Sequence, residues 1–332
     1  MIWYLLSKYR SALMGLATIW VISYHFGGVG IKVFDIVTSC GYRGVDIFFL
    51  LSGLGMAYAY KGNIKDYYKK RFYRIIPFYF LMVMADAFCS GRLHIVDILI
   101  RTFGIGYFIT CLDSGFLEWY IPTQLIFYLF YPLWYNIIHK FKVAYVIVFL
   151  SVLLTLFCFL CNWNLYASLS ITRLPIFLIG TLIGLYVKEN KADGNLLNRI
   201  SERQWIFSII STISLPVIIY LPHFICNDLK SWHYFLLWLP LLYIIPEICI
   251  FFAGIFNKTK SFIPNILSEI GNVSLEMYLI HVIILNHYRD YIDSLVISRW
   301  LSLIVFVLAV YIVSKLIHVC YSPLVAKLVQ RI

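Results

Sequence analysis

Arg10-Ser-Ala-Leu-Met-Gly-Leu-Ala-Thr-Ile-Trp-Val-Ile-Ser-Tyr-His25 has a cation at one end, an imidazole at the other and no charge between them. It reads as a membrane-spanning helix. At about 1.5 Å per residue, His25 falls roughly 22 Å along the axis from Arg10, near the far edge of an apolar layer about 30 Å thick. The two groups then mark opposite sides of one membrane. An ionisable group in such a helix is expensive and points to a lined pathway or a reactive centre; the plain alternative is a wet interfacial His.

The rest of the chain agrees with that reading. Its 332 residues are 62% hydrophobic, 18% aromatic and 13% charged, which is too much apolar side chain for a soluble core. The longest polar stretch, Lys188 to Gln204, is only a loop's length, so a single domain over 1–332 is expected with no soluble domain appended. The net charge of +11 does not call for nucleic acid, because the basic residues collect in short loops beside apolar runs. The eight cysteines lie mostly in or beside apolar runs without metal-ligand spacing, and they read as packing with no metal site. Lys8 and Arg10 precede a long apolar run with no cleavage pattern after it, so the first helix is expected to stay as an anchor.

Ten apolar runs can be drawn, near 11–29, 45–60, 76–91, 117–138, 143–162, 173–188, 204–222, 233–256, 264–285 and 298–325. With alternating sides, nineteen of the 27 Lys and Arg fall on the side of the termini and eight on the other. The expected fold is therefore an all-α, polytopic transmembrane bundle of about ten helices with both termini cytoplasmic. Residues 92–116 carry Asp97 and Arg101 and are expected to stay interfacial or partly embedded. A full crossing there would invert every later loop.

Several stretches place ionisable groups where they could react. Gly41-Tyr-Arg-Gly-Val-Asp-Ile-Phe-Phe-Leu-Leu-Ser-Gly53 puts Asp46 just inside a helix on the same side as His25, where it could orient the imidazole as a base or simply pair with Arg43. In Tyr67-Tyr-Lys-Lys-Arg-Phe-Tyr-Arg74, Lys69, Lys70, Arg71 and Arg74 crowd against an apolar run. Arg71 and Arg74, three apart, can fork onto a polyphosphate together, or the loop can touch anionic lipid headgroups. Trp119-Tyr-Ile-Pro-Thr-Gln-Leu-Ile-Phe-Tyr128 carries Gln124 as its only amide, in an aromatic belt that packing would also explain. Arg173-Leu-Pro-Ile-Phe-Leu-Ile-Gly180 opens on an outer-side cation that could neutralise an oxyanion or snorkel to the interface. Ser274-Leu-Glu-Met-Tyr-Leu-Ile-His281 sets Glu276 and His281 five apart in an apolar helix.

In order and spacing, these motifs together resemble the integral-membrane acyltransferase-3 family over nearly the whole chain. The resemblance implies a ten-helix enzyme of the bacterial inner membrane that takes an acetyl or other short acyl group from cytoplasmic acyl-CoA. It passes that group to a hydroxyl of a surface polysaccharide or lipid-linked glycan. His25 then matches the catalytic His of the first helix, and Arg71 and Arg74 match the cytoplasmic basic pair. Two positions depart from the family pattern: Met14 stands where a basic residue is common, with Arg10 one turn below, and Gln124-Leu125 stands where many relatives carry an acidic pair.

On this reading acyl-CoA docks its phosphates on Arg71, Arg74 and the neighbouring lysines. His25, aided by Asp46 or Glu276, either accepts the acyl group or deprotonates the acceptor hydroxyl. A transporter using the same His and Glu as a proton relay is the rival, and it predicts broken helices in two similar halves. A structural or assembly subunit would need no aligned Arg pair and imidazole.

Overall fold

The computed structural model describes residues 3–105, 107, 119–141, 144–161, 165–190, 202–225, 231–259, 261–294 and 298–330. Among these residues there is no strand. The helices are α1 Trp3–Lys8, α2 Arg10–Phe26, α3 Lys32–Ser39, α4 Gly44–Ala59, α5 Ile64–Cys89, α6 Ile95–Thr102, α7 Tyr120–Phe141 and α8 Ala144–Leu160. They continue with α9 Leu165–Asn190, α10 Glu202–Ile225, α11 Ser231–Trp238, α12 Leu241–Lys258, α13 Phe262–Asn272, α14 Ser274–Ser294 and α15 Arg299–Gln330.

Each of the ten apolar runs carries a helix, but the helices differ in how far they reach. Ile64–Cys89, Leu169–Glu189, Glu202–Tyr220, Tyr234–Lys258 and Arg299–Pro323 are long and apolar enough to cross a membrane. The pair Phe262–Asn272 and Ser274–Ser294, bent by 67°, makes a sixth if read as one broken span. With 17 and 16 residues, α2 and α4 are shorter, about 24–26 Å against an apolar layer of about 30 Å. They are central helices: α4 buries nearly every residue from Gly44 to Ala57. Lipid instead meets α15, which exposes Leu301, Val305, Leu308, Ile312 and Leu316.

Two close crossings organise the centre. A Cβ on Gly15 would strike the Leu267 carbonyl, and one on Gly271 would strike the Ser11 carbonyl, so α2 and α13 touch backbone to backbone. The same holds for α4 and α9, where Gly53 meets the Phe177 carbonyl and Gly180 meets that of Leu50. Small residues allow this approach, which gives helices in lipid dispersion contacts that apolar solvent cannot replace. The short α6 has eight residues and cannot span. Asp97 is exposed there, while Arg101 reaches Asp86 of α5 at 2.6 Å. The expectation for 92–116 extends over residues 106 and 108–116, which lie outside the described residues.

If the α2–α13 contact carries the fold, Gly271→Val must push the helices apart at a cost of about 1–3 kcal/mol. Thermal unfolding of the detergent-solubilised variant should show a clearly lower midpoint. An unchanged midpoint would mean that these helices do not touch there.

Candidate functional site

The break between α13 and α14 turns α14 alongside α2, and the two helices meet at both ends. At the far end of α2, Nδ1 of His25 lies 2.8 Å from Nε2 of His281, with the rings nearly parallel at 21°. Nδ1 of His281 in turn lies 3.0 Å from the Met277 carbonyl, one turn back on its own helix. The carbonyl can only accept, so Nδ1 of His281 carries the proton and its Nε2, in the neutral ring, is an acceptor. Nδ1 of His25 must then donate. This leaves Nε2 of His25 with a free lone pair, the form a base or nucleophile needs. His281 is fully buried, whereas His25 is partly exposed.

The turn after His25 is held by cations. Arg289 donates to the carbonyls of His25 (3.3 Å) and Phe26 (2.8 Å), and Arg299 donates to that of Gly28 at 2.9 Å. These are the open carbonyls at a helix C-terminus, where positive charge is favourable. Gly27 takes φ +93° and lets the chain leave at once.

At the other end, a recess of about 60 Å³ that opens to solvent lies among α2, α4, α5, α7 and the start of α14. Its wall includes Arg10, Met14, Ser52, Arg71, Arg74, Tyr120, Gln124, Tyr128, Ser274 and Tyr278, and among the described residues no carboxylate lines it. Arg10 is threaded into the bundle with Nε donating to the Leu51 carbonyl at 2.8 Å. Gly55 makes room for it, since a Cβ there would lie 2.9 Å from the guanidinium. Arg71 lies over the Tyr128 ring, 5.5 Å from its centre. Met14 and Gln124, the two departures from the family pattern, line this same recess. Tyr278 joins the two ends: it lines the recess, and its ring stands 5.5 Å from His281 and 4.9 Å from Tyr120.

The remaining expected site residues go elsewhere. Asp46 is paired with cations rather than with His25. Its carboxylate lies 3.2 Å from Arg43 and 3.1 Å from Arg173, and Trp119 covers the Arg173 guanidinium at 5.1 Å. The local pairing with Arg43 therefore describes Asp46, enlarged by a second cation from α9. Glu276 does not reach the imidazole pair either. It accepts from Nδ1 of His318 at 2.6 Å, in a second recess that shares Arg74, Ser274 and Leu275 with the first. Five residues on a helix turn the side chain by about 140° and advance it about 7.5 Å, so Glu276 and His281 face different neighbours. Lys69 is partly buried, Lys70 is exposed, and neither lines the recess.

Sequence reasoning missed His318, Arg289 and Tyr278 as site neighbours. His318 and Arg289 were legible only as ionisable groups in or beside apolar runs, and Tyr278 only as part of the motif around Glu276.

A family model described as an acyltransferase domain matches residues 12–319. The chain belongs to the acyltransferase-3 family and is a membrane protein carrying an acyltransferase domain. No curated protein and no solved structure matches it.

Replacing Asp46 tests whether its triad is structural. Asp46→Ala leaves two buried guanidiniums without a counter-charge, and loss of one partner of a buried ion pair costs about 3–5 kcal/mol. A large fall in thermal stability is expected. A variant of normal stability that loses only activity would return Asp46 to the chemistry.

Proposed function

We infer that this protein is a membrane O-acyltransferase, and specifically an O-acetyltransferase. It draws its acyl group from cytoplasmic acetyl-CoA, or another acyl-CoA, and delivers it to a hydroxyl of a surface polysaccharide or lipid-linked glycan. The topology that goes with this function is ten crossings of a bacterial inner membrane with both termini cytoplasmic. The distribution of Lys and Arg supports it. The observation that carries the reading is the recess lined, among the described residues, by three guanidiniums and no carboxylate, at the foot of the helix whose other end offers an imidazole lone pair.

Guanidiniums fork onto phosphate oxygens, so Arg71 and Arg74 at the mouth and Arg10 within suit the phosphates of a CoA ester. Lys69 and Lys70 add positive field on the same helix. The thioester arm then runs along α2 past Tyr278 toward His25. In direct transfer, Nε2 of His25 takes the proton of the acceptor hydroxyl as its oxygen bonds to the thioester carbonyl carbon. The carbon–sulfur bond breaks, and His25 returns the proton to the departing thiolate. In covalent transfer, Nε2 itself bonds to the carbonyl carbon, and the thiolate leaves and is protonated from solvent. The acceptor oxygen then displaces the imidazole and releases its proton to solvent. In either route His281 holds the donating Nδ1–H of His25 and so fixes the tautomer.

Purified protein incubated with radiolabelled acetyl-CoA tests the reading. Label should reach an added glycan, and label held on the protein without acceptor would select the covalent route. His25→Ala should lower turnover by at least about a hundredfold while CoA affinity stays the same. Near-normal turnover would remove His25 from the chemistry. Arg71→Ala with Arg74→Ala should weaken CoA binding and leave membrane insertion intact; unchanged affinity would make these residues a topogenic loop. Reporter fusions after His139 and after Lys191 should both read cytoplasmic, and an outside signal at either would break the ten-crossing topology.

A further inference from the structure

Within the recess, two described side chains have buried polar atoms without a hydrogen-bond partner, Nε of Arg71 and both polar atoms of Gln124, and Gln124 is the one with neither atom answered. It is 3% exposed, yet among the described residues neither its amide nitrogen nor its carbonyl oxygen has a hydrogen-bond partner. A buried polar group without a partner costs free energy and is uncommon in a folded chain. Its neighbours on the wall do not answer it. Arg10 turns one nitrogen to the Leu51 carbonyl, Arg71 lies over Tyr128, and Met14, Ile121 and Leu275 are apolar. Gln124 stands deeper in the bundle than Arg74, which is exposed.

The chemistry of the missing partner can be narrowed. A carboxamide presents a donor and an acceptor side by side. A phosphate offers acceptors alone and would leave the carbonyl oxygen unmet, and a hydrocarbon chain answers neither atom. Secondary amides supply both kinds of group; a trans amide points its N–H and C=O opposite ways, so one amide meets one of the two Gln124 atoms and a second, successive amide meets the other. The donor inferred above carries amides in its pantetheine arm, between the phosphates and the thioester. We propose that Gln124 reads the amides of that arm, so that the recess recognises the acyl carrier by its amides as well as by its phosphates. This rests on the reading of the recess as an acyl-CoA site.

The test compares wild type, Gln124→Met and the Arg71→Ala, Arg74→Ala double variant in detergent. Binding is measured for three probes: CoA, pantetheine without the nucleotide, and adenosine bisphosphate without the arm. Met keeps the length of the side chain and removes both polar atoms. Gln124→Met should weaken CoA and pantetheine by about tenfold, the worth of about one net hydrogen bond, and leave adenosine bisphosphate unchanged. The double variant should weaken both phosphate-bearing probes. Without ligand, Gln124→Met should unfold at a higher temperature than wild type, because two unsatisfied atoms are gone; a Gln needed for packing or internal bonding would lower it.

Unchanged CoA affinity in Gln124→Met overturns the assignment while leaving the donor site in place. Equal losses for CoA and adenosine bisphosphate also overturn it, since Gln124 would then act through the arginines. If wild type binds none of the three probes, the donor reading fails and the amide assignment fails with it.

Discussion

The structure depends on the contact between α2 and the broken α13–α14 span. Below, Gly15 and Gly271 bring the backbones of α2 and α13 together. Above, Arg289 of α14 ties itself to the last carbonyls of α2. The bend of 67° between the two halves of the span lets one chain segment serve both contacts. As a result α14 runs beside α2 from Ser274, at the recess with Arg10, to His281, against His25. The distance between cationic recess and imidazole pair is set by α2.

The buried charges divide into those that face a partner of opposite charge or a hydrogen-bond donor and those that do not. Asp46 is shared by Arg43 and Arg173 under Trp119, a closed triad that joins α4 to α9. Glu247 of α12 accepts from Gln204 at 2.6 and 2.7 Å and from Ser208 at 2.7 Å. Such closed groups anchor helices, because an unpaired charge in a low-dielectric interior is far more costly than a paired one. The recess differs: its guanidiniums face no carboxylate among the described residues, and Gln124 faces no partner. Both departures from the family pattern meet there. Met14 carries no cation and Gln124 no anion, so neither position adds charge to the recess.

The transport alternative makes a geometric demand that bears on the same break. Alternating-access carriers use discontinuous helices in corresponding positions of two halves. Among the described residues, one pair of helices is bent in this way, Phe262–Asn272 with Ser274–Ser294. That break lies between two contacts with α2, at Gly271 and at His281. The family match over residues 12–319 points to acyl transfer rather than to a proton relay.

By itself the sequence determined the helical, membrane-bound class, the ten apolar runs, the family, and His25 with Arg71 and Arg74 as the groups to watch. All of these are local or ordered properties: hydropathy along a run, a cation and an imidazole at the ends of one helix, motifs in a fixed succession. Only the tertiary structure decided who meets whom. It gave His25 the ring of His281, 256 residues away, where the motifs alone leave Asp46 and Glu276 open as its partners. It also sent Glu276 to His318 and brought Met14 and Gln124 to one wall. Partner choice between helices depends on azimuth, crossing distance and a single bend. A side chain turns about 100° with every residue along a helix, so neighbours in a motif separate while residues far apart in the chain converge.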